Sequence, residues 1–203
     1  MNFSAWFKSK TADKVLSPIR ELIIDRIDEN NEVLEIGCGT GDLLFRASGK
    51  IRFGLGVDLD QQMIDFAKNR KQKEEYENLE FVNEDIATSA VLATRRFDVS
   101  TSTLCLHEMS EQSAVDTLQL MEKHSSTLII ADYAVPGSIW GKFSIEFDEF
   151  ISGHYRRFTQ YRSKGGIPYL AKMANLDVRS VINTPIDGIR IWELGRDQST
   201  RIV

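Results

Sequence analysis

The chain is poor in the residues that cross-link or interrupt a fold. Of its 203 residues only two are cysteine and four are proline. Cys38 and Cys105 cannot make a disulfide framework or a four-thiolate zinc site, and they suit a reducing compartment. No stretch approaches the ~18 consecutive apolar residues of a membrane span. The opening Met1-Asn2-Phe3-Ser4-Ala5-Trp6-Phe7-Lys8 holds no apolar run of signal-peptide length. Nor is there a strong excess of one charge: 25 Lys+Arg against 30 Asp+Glu leave a net −5. That balance supplies no basic footprint for nucleic acid or an anionic membrane. The expectation is a cytoplasmic protein, monomer or homodimer, with no nucleic-acid or membrane partner.

What is present is ordinary globular composition. A hydrophobic fraction of 42% with 27% charged residues excludes wholesale disorder, and the length fits one domain with a real core. Short β-branched runs alternate with helical stretches, which argues for an α/β layer fold with a mostly parallel sheet. Strands are expected at 33–36, 53–57, 79–82, 97–102 and 127–131. The last is the most apolar and so is expected at the centre, buried on both faces. Val15, Ile19, Leu22, Ile23 and Ile27 recur at helical spacing within a first helix over 11–27. Further helices are expected from Asp42, over 61–73 behind an Asp60 cap, and behind Ser110 through Ala114, Val115, Leu118 and Met121.

After Pro136 the rhythm changes. Trp140, Phe143, Phe147, Phe150 and Ile151 form one stripe of an amphipathic helix, followed by a polar aromatic stretch over 154–162 and a break at Gly165-Gly166. Pro168 suits the first turn of a short helix. Segments 176–183 and 189–194 read as strands whose five-residue connection suits an antiparallel hairpin rather than a parallel crossover. The whole is one domain, 1–203. Residues 1–30 would form an N-terminal helical cap and 137–170 a helical aromatic lid.

The most informative stretch is Glu35-Ile36-Gly37-Cys38-Gly39-Thr40-Gly41-Asp42, between a strand and a helix. Alternating glycines let the backbone turn sharply and let a ligand approach with no Cβ in the way. In an open α/β sheet this turn borders the ligand crevice. The dinucleotide fingerprint G-x-G-x-x-G would need glycine at position 42, where the chain has Asp42. Gly56-Val57-Asp58-Leu59-Asp60 follows, with Asp58 placed 17 residues beyond Gly41 to accept from two ribose hydroxyls. Asp60 fits the competing task of capping the next helix. Phe81-Val82-Asn83-Glu84-Asp85-Ile86 offers a further acid after the third strand, which could equally be a solvated loop residue.

Together these motifs resemble class I methyltransferases that use S-adenosylmethionine (SAM), over roughly residues 30–135. The resemblance is nearest in style to the small-molecule group that includes the ubiquinone and menaquinone enzymes. It implies a Rossmann-like doubly wound sheet with SAM, converted to S-adenosylhomocysteine, at the carboxyl ends of strands one to four. It implies Glu35, Gly37, Gly39, Gly41, Asp58, Met63, Asp85 and Ile86 as cofactor residues. Asp85 would accept from the adenine amine, and Met63 would pack on adenine or simply fill the core. The Asn/Asp-Pro-Pro-aromatic motif of nucleobase and glutamine-amide enzymes is replaced by Thr103-Leu104-Cys105-Leu106-His107-Glu108. The Pro-Cys motif of the cytosine enzymes is absent too.

A methyl on a cationic sulfur is already reactive, so orientation and water exclusion can carry much of the acceleration. A base is needed only where the acceptor must lose a proton. His107, after strand four, is the candidate catalytic residue. Glu108, Asp132 and Tyr133, with His154 and Tyr155 from the insertion, are candidates for the acceptor wall. No metal is expected, because a lone His-Glu dipeptide lacks ligand spacing. The expected reaction is in-line methyl transfer to a small-molecule acceptor. A non-catalytic SAM-binding module is the alternative. A nicotinamide dehydrogenase and an RNA methyltransferase are weaker competitors.

Overall fold

The computed structural model describes residues 3–89, 92, 95–134 and 155–196. Helix α1 spans Phe3–Ile24, followed by β1 (Glu32–Ile36), α2 (Asp42–Ala47), β2 (Phe53–Asp58), α3 (Gln61–Lys73) and β3 (Leu79–Asn83). Next come β4 (Phe97–Thr103), α4 (Glu111–His124) and β5 (Ser125–Tyr133). The described chain closes with α5 (Tyr155–Lys164), α6 (Gly166–Met173), β6 (Asp177–Asn183) and β7 (Ile189–Gly195). The expected stripe around Trp140 and residue His154 lies outside the described residues, as do the side chains of Phe3, Trp6, Phe7 and Tyr155. No described helix is long and apolar enough to cross a membrane.

One seven-stranded sheet runs in the order β3-β2-β1-β4-β5-β7-β6. Strands β1 to β5 pair in parallel, and β7 pairs antiparallel with both β5 and β6. The fold is therefore Rossmann-like, doubly wound and mostly parallel, with an antiparallel end. Helices cover both faces. Ile19, Ile23, Leu43 and Ile64 pack on one side with Val33 and Ile129, while Leu118, Met121 and Leu170 pack on the other with Leu34 and Ile130. Strand β5 is buried without a break from Leu128 to Tyr133, as a strand covered on both faces must be. Fully burying each of these aliphatic side chains stabilises by ~1.5–3 kcal/mol relative to exposure.

Two helices differ from expectation. Helix α1 begins eight residues earlier than periodicity indicated and ends at Ile24. Residues 4–10 contain no glycine or proline to stop it, and Pro18 interrupts its ladder without ending it. The polar aromatic stretch is helix α5, separated from α6 by Gly165 at φ 108°, with Gly166 opening α6 at φ 64°. Pro168 lies in the first turn of α6, where its missing N–H costs nothing.

Candidate active site

Strand β1 lies between β2 and β4, so the chain runs outward in opposite directions from that point. This topological switch opens a crevice at the carboxyl ends of β1 and β4. The glycine loop fills its rim. Gly37, Gly39 and Gly41 have φ of 67°, 53° and 73°, in the left-handed region that favours glycine. They do different work. A Cβ on Gly37 would stand 2.4 Å from Cys105 Sγ, and one on Gly41 2.4 Å from the Phe81 ring. Those two glycines admit close packing. At Gly39 an added Cβ would meet nothing within 4 Å, so this glycine borders open space.

Asp58 ends β2 and turns its carboxylate to the loop. Its Oδ2 accepts from Gly39 N at 2.7 Å and its Oδ1 from Asp60 N at 2.8 Å. Asp60 caps α3, accepting from Gln62 N at 2.8 Å and Met63 N at 3.4 Å. Asp60 thus does the capping, and Asp58, which takes no part in that cap, braces the loop. Asn83 at the end of β3 donates to the Asp58 carbonyl at 2.9 Å, fastening the strand ends together. Met63 is buried yet joins neither of the two main apolar clusters. Asp85 is exposed and opens a short 3-10 turn, its carbonyl accepting from Thr88 N at 3.0 Å; Ile86 beside it is half-buried.

Glu35 is buried at 3% exposure, and its Oε2 has no hydrogen-bond partner. Burial pushes its carboxyl up to about 8, against the opposing pull of the Arg20 guanidinium. Cys105 is pushed up to about 12 by burial and by the nearby carboxylates of Asp132, Asp58 and Glu108. Glu35 lies near the carboxylates of Asp42, Asp58 and Asp13, and Cys105 near those of Asp132, Asp58 and Glu108.

The second half of the site is a buried histidine–carboxylate pair. His107 lies in a short 3-10 turn (Leu106–Glu108) after β4, at 2% exposure. Its Nδ1 is 2.7 Å from Oδ1 of Asp132, the next-to-last residue of the neighbouring strand β5, which is fully buried. Asp132 also accepts from the backbone N–H groups of His107 at 3.3 Å and Tyr133 at 2.7 Å. Leu104 lies between β4 and this turn. It adopts φ 49°, a left-handed conformation that costs a non-glycine residue ~1–3 kcal/mol, and donates its N–H to Ala131 O at 2.8 Å.

Aromatic rings enclose the pair. Tyr133, Tyr161 and Phe158 surround the imidazole at centroid distances of 4.7, 6.2 and 6.3 Å. Tyr161 donates its hydroxyl to Tyr133 O at 3.0 Å, and burial holds its phenol well above the ordinary range, so it remains a donor. Arg157 of α5 donates to the Glu108 carbonyl at 2.9 Å. Glu108 is exposed, its Oε1 4.0 Å from His107 Nε2. Among the described residues no three His, Cys, Asp or Glu side chains cluster as a metal site would require. Glu35, Asp58 and the three glycines thus gather at the carboxyl ends of β1 and β2, and Asp85 lies exposed after β3. His107, Asp132, Tyr133 and Glu108 converge beside them. Sequence reasoning missed Phe158 and Tyr161, whose segment read as a polar stretch, and did not pair Asp132 with His107.

Residues 27–164 match a family described as a methyltransferase domain. The chain belongs to this methyltransferase family. A curated relative, provisionally named methyltransferase 235L of Invertebrate iridescent virus 6, is 31% identical over 108 residues, covering 52% of this chain. The chain spans 38% of that relative's length. Among solved structures, the magnesium protoporphyrin IX methyltransferase of Synechocystis PCC 6803 with bound S-adenosylhomocysteine is similar at TM-score 0.65 and 18% identity. That match covers 97% of this chain and 89% of the other. A SAM-dependent methyltransferase from Clostridium acetobutylicum ATCC 824 matches at TM-score 0.64 and 12% identity over 95% and 97% of the two chains. The mitomycin 7-O-methyltransferase matches at TM-score 0.68 and 15% identity, over 95% of this chain and 60% of its own. At these identities the structures share the fold with the methyltransferase domain described here.

The crevice fits the family's S-adenosyl cofactor. The loop offers open space at Gly39, an anchored acid faces it from β2, and a buried carboxylate oxygen of Glu35 is left without a donor beneath it.

Proposed function

We propose that the protein transfers a methyl group from SAM to a small-molecule acceptor. The observation that carries this reading is the convergence of the open Gly39 turn with the Asp58 carboxylate at the switch point of the sheet. Bound there, SAM supplies an electrophilic methyl on a cationic sulfur. Gly37, Gly39 and Gly41 give the backbone its approach, Asp58 accepts from the ribose hydroxyls, and Met63 and Ile86 offer apolar surface to the adenine. Asp85 takes the adenine amine, and Glu35 presents its unpartnered Oε2 under the loop. The acceptor lies beside His107, with Tyr133 and Glu108 on its wall. Asp132 holds the Nδ1 side of His107, so Nε2 is the nitrogen that moves the acceptor's proton.

The aromatic surroundings of His107 support a partly apolar, small acceptor, and the net −5 charge supports one other than nucleic acid. The dyad also favours an enzyme over a SAM-binding module, because it sets a titratable ring after β4 among apolar rings. Two variants test the division of labour. Asp58→Asn is expected to weaken SAM binding by ~1–3 kcal/mol in calorimetry. His107→Gln is expected to bind SAM normally while methyl transfer to acceptors found by screening falls ~10²–10⁴-fold. Unchanged affinity in Asp58→Asn contradicts the ribose assignment, and unchanged turnover in His107→Gln contradicts the proton carrier.

A further inference from the structure

The family match begins at residue 27, yet the glycine loop is gripped from α1, upstream of it. Thr40 donates its hydroxyl to Asp13 Oδ2 at 2.6 Å. Arg20 donates to Asp13 Oδ1 at 2.8 Å, to the Asp13 carbonyl at 3.2 Å and to Asp42 Oδ2 at 2.9 Å. The result is a ring of contacts, Thr40–Asp13–Arg20–Asp42, that closes around Gly41 from both sides. All four residues are buried. Arg46 and Arg70 add contacts to Asp42 at 2.6 and 3.4 Å.

Such a ring is costly to assemble. Burying charged groups incurs desolvation that is repaid only with good geometry and further hydrogen bonds. For a loop of alternating glycines the ring has a clear use. Glycine loses more conformational freedom on ordering than any other residue, so a loop built from it needs fixing from outside. Thr40 and Asp42 are the two side chains available for that purpose next to Gly41, and both point to α1.

We propose that α1 clasps the methyl-donor loop: Asp13 and Arg20 are positioning residues that set the loop through Thr40 and Asp42, and the donor site is complete only when α1 is docked. This rests on the reading of the crevice as the SAM site. The step concerns binding alone and leaves the transfer chemistry with the residues already named.

The test compares wild type, Thr40→Val and Thr40→Ser in two measurements. Calorimetry with S-adenosylhomocysteine reads donor affinity, and amide hydrogen exchange at residues 39–42 reads loop order without any ligand. Thr40→Val removes the hydroxyl donated to Asp13. It is expected to weaken binding about ten-fold and to speed exchange in the loop, and Thr40→Ser is expected to restore both. Asp13→Asn, which keeps the shape and removes the charge, is the second variant should Thr40→Val fail to fold, with the same two shifts expected. Normal affinity and normal loop exchange in a variant that merely melts earlier would overturn the clasp. Absence of binding by the wild type would defeat the donor reading instead, while the exchange rates still judge the clasp.

Discussion

Asp132 and Glu35 are both buried carboxyl groups, and their surroundings make them opposites. Asp132 is met by the His107 ring and two backbone N–H groups. Glu35 keeps an oxygen with no hydrogen-bond partner, and its carboxyl is raised from the ordinary 4.5 to about 8. The sign of the consequence follows from proton counting. Between about 4.5 and about 8 the folded protein holds a proton at Glu35 that the unfolded chain has released. Stability contributed by this site therefore falls as pH rises through that window. Urea unfolding of Glu35→Gln is expected to show a flatter pH profile than wild type and a relative gain that grows toward alkaline pH. Parallel profiles for the two proteins would contradict it. The same residue then has two claims on it, since a carboxylate that is costly to fold is useful under a cationic ligand.

At the scale of elements, the short helix α2 depends on how Gly41 starts it. Gly41 is its N-cap at φ 73°, with the Phe81 ring against its Cα. Gly41→Ala combines left-handed strain with a steric clash and is expected to destabilise by ~2–4 kcal/mol. Gly39→Ala carries only the strain, since its Cβ would meet open space, and its loss is expected to be nearer ~1–2 kcal/mol. Thermal or urea melts rank the two, and equal stability would contradict the assignment of different tasks.

Elements were legible where one physical signal ruled. The β-branched runs gave β1 to β5, and the five-residue connection at Thr184 to Gly188 pointed to the antiparallel β6–β7 pair. Helix α5 was hidden because Phe158 and Tyr161, its apolar anchors, are outnumbered by the exposed Arg157, Gln160, Ser163 and Lys164. The α1 clasp was illegible for a different reason. Asp13 and Arg20 look like ordinary charges of an exposed helix until the fold sets Thr40 and Asp42 against them.

The whole molecule converts sheet order into a site. Because β4 follows β3 in sequence but sits beside β1 in space, the glycine loop, Asp58 and the His107 turn reach one crevice from distant parts of the chain. Because β5 is the parallel neighbour of β4, Asp132 arrives near the carboxyl end of β5 within reach of His107. Family membership fixes the general chemistry, and the proposed donor half lies on β1 and β2 with the proposed acceptor half on β4 and β5. The most direct measurement is calorimetric titration of the protein with SAM, S-adenosylhomocysteine and NADH in turn. Micromolar binding of both adenosyl compounds and none of NADH is the predicted result. Binding of NADH, or of neither adenosyl compound, would contradict the assignment of the donor half.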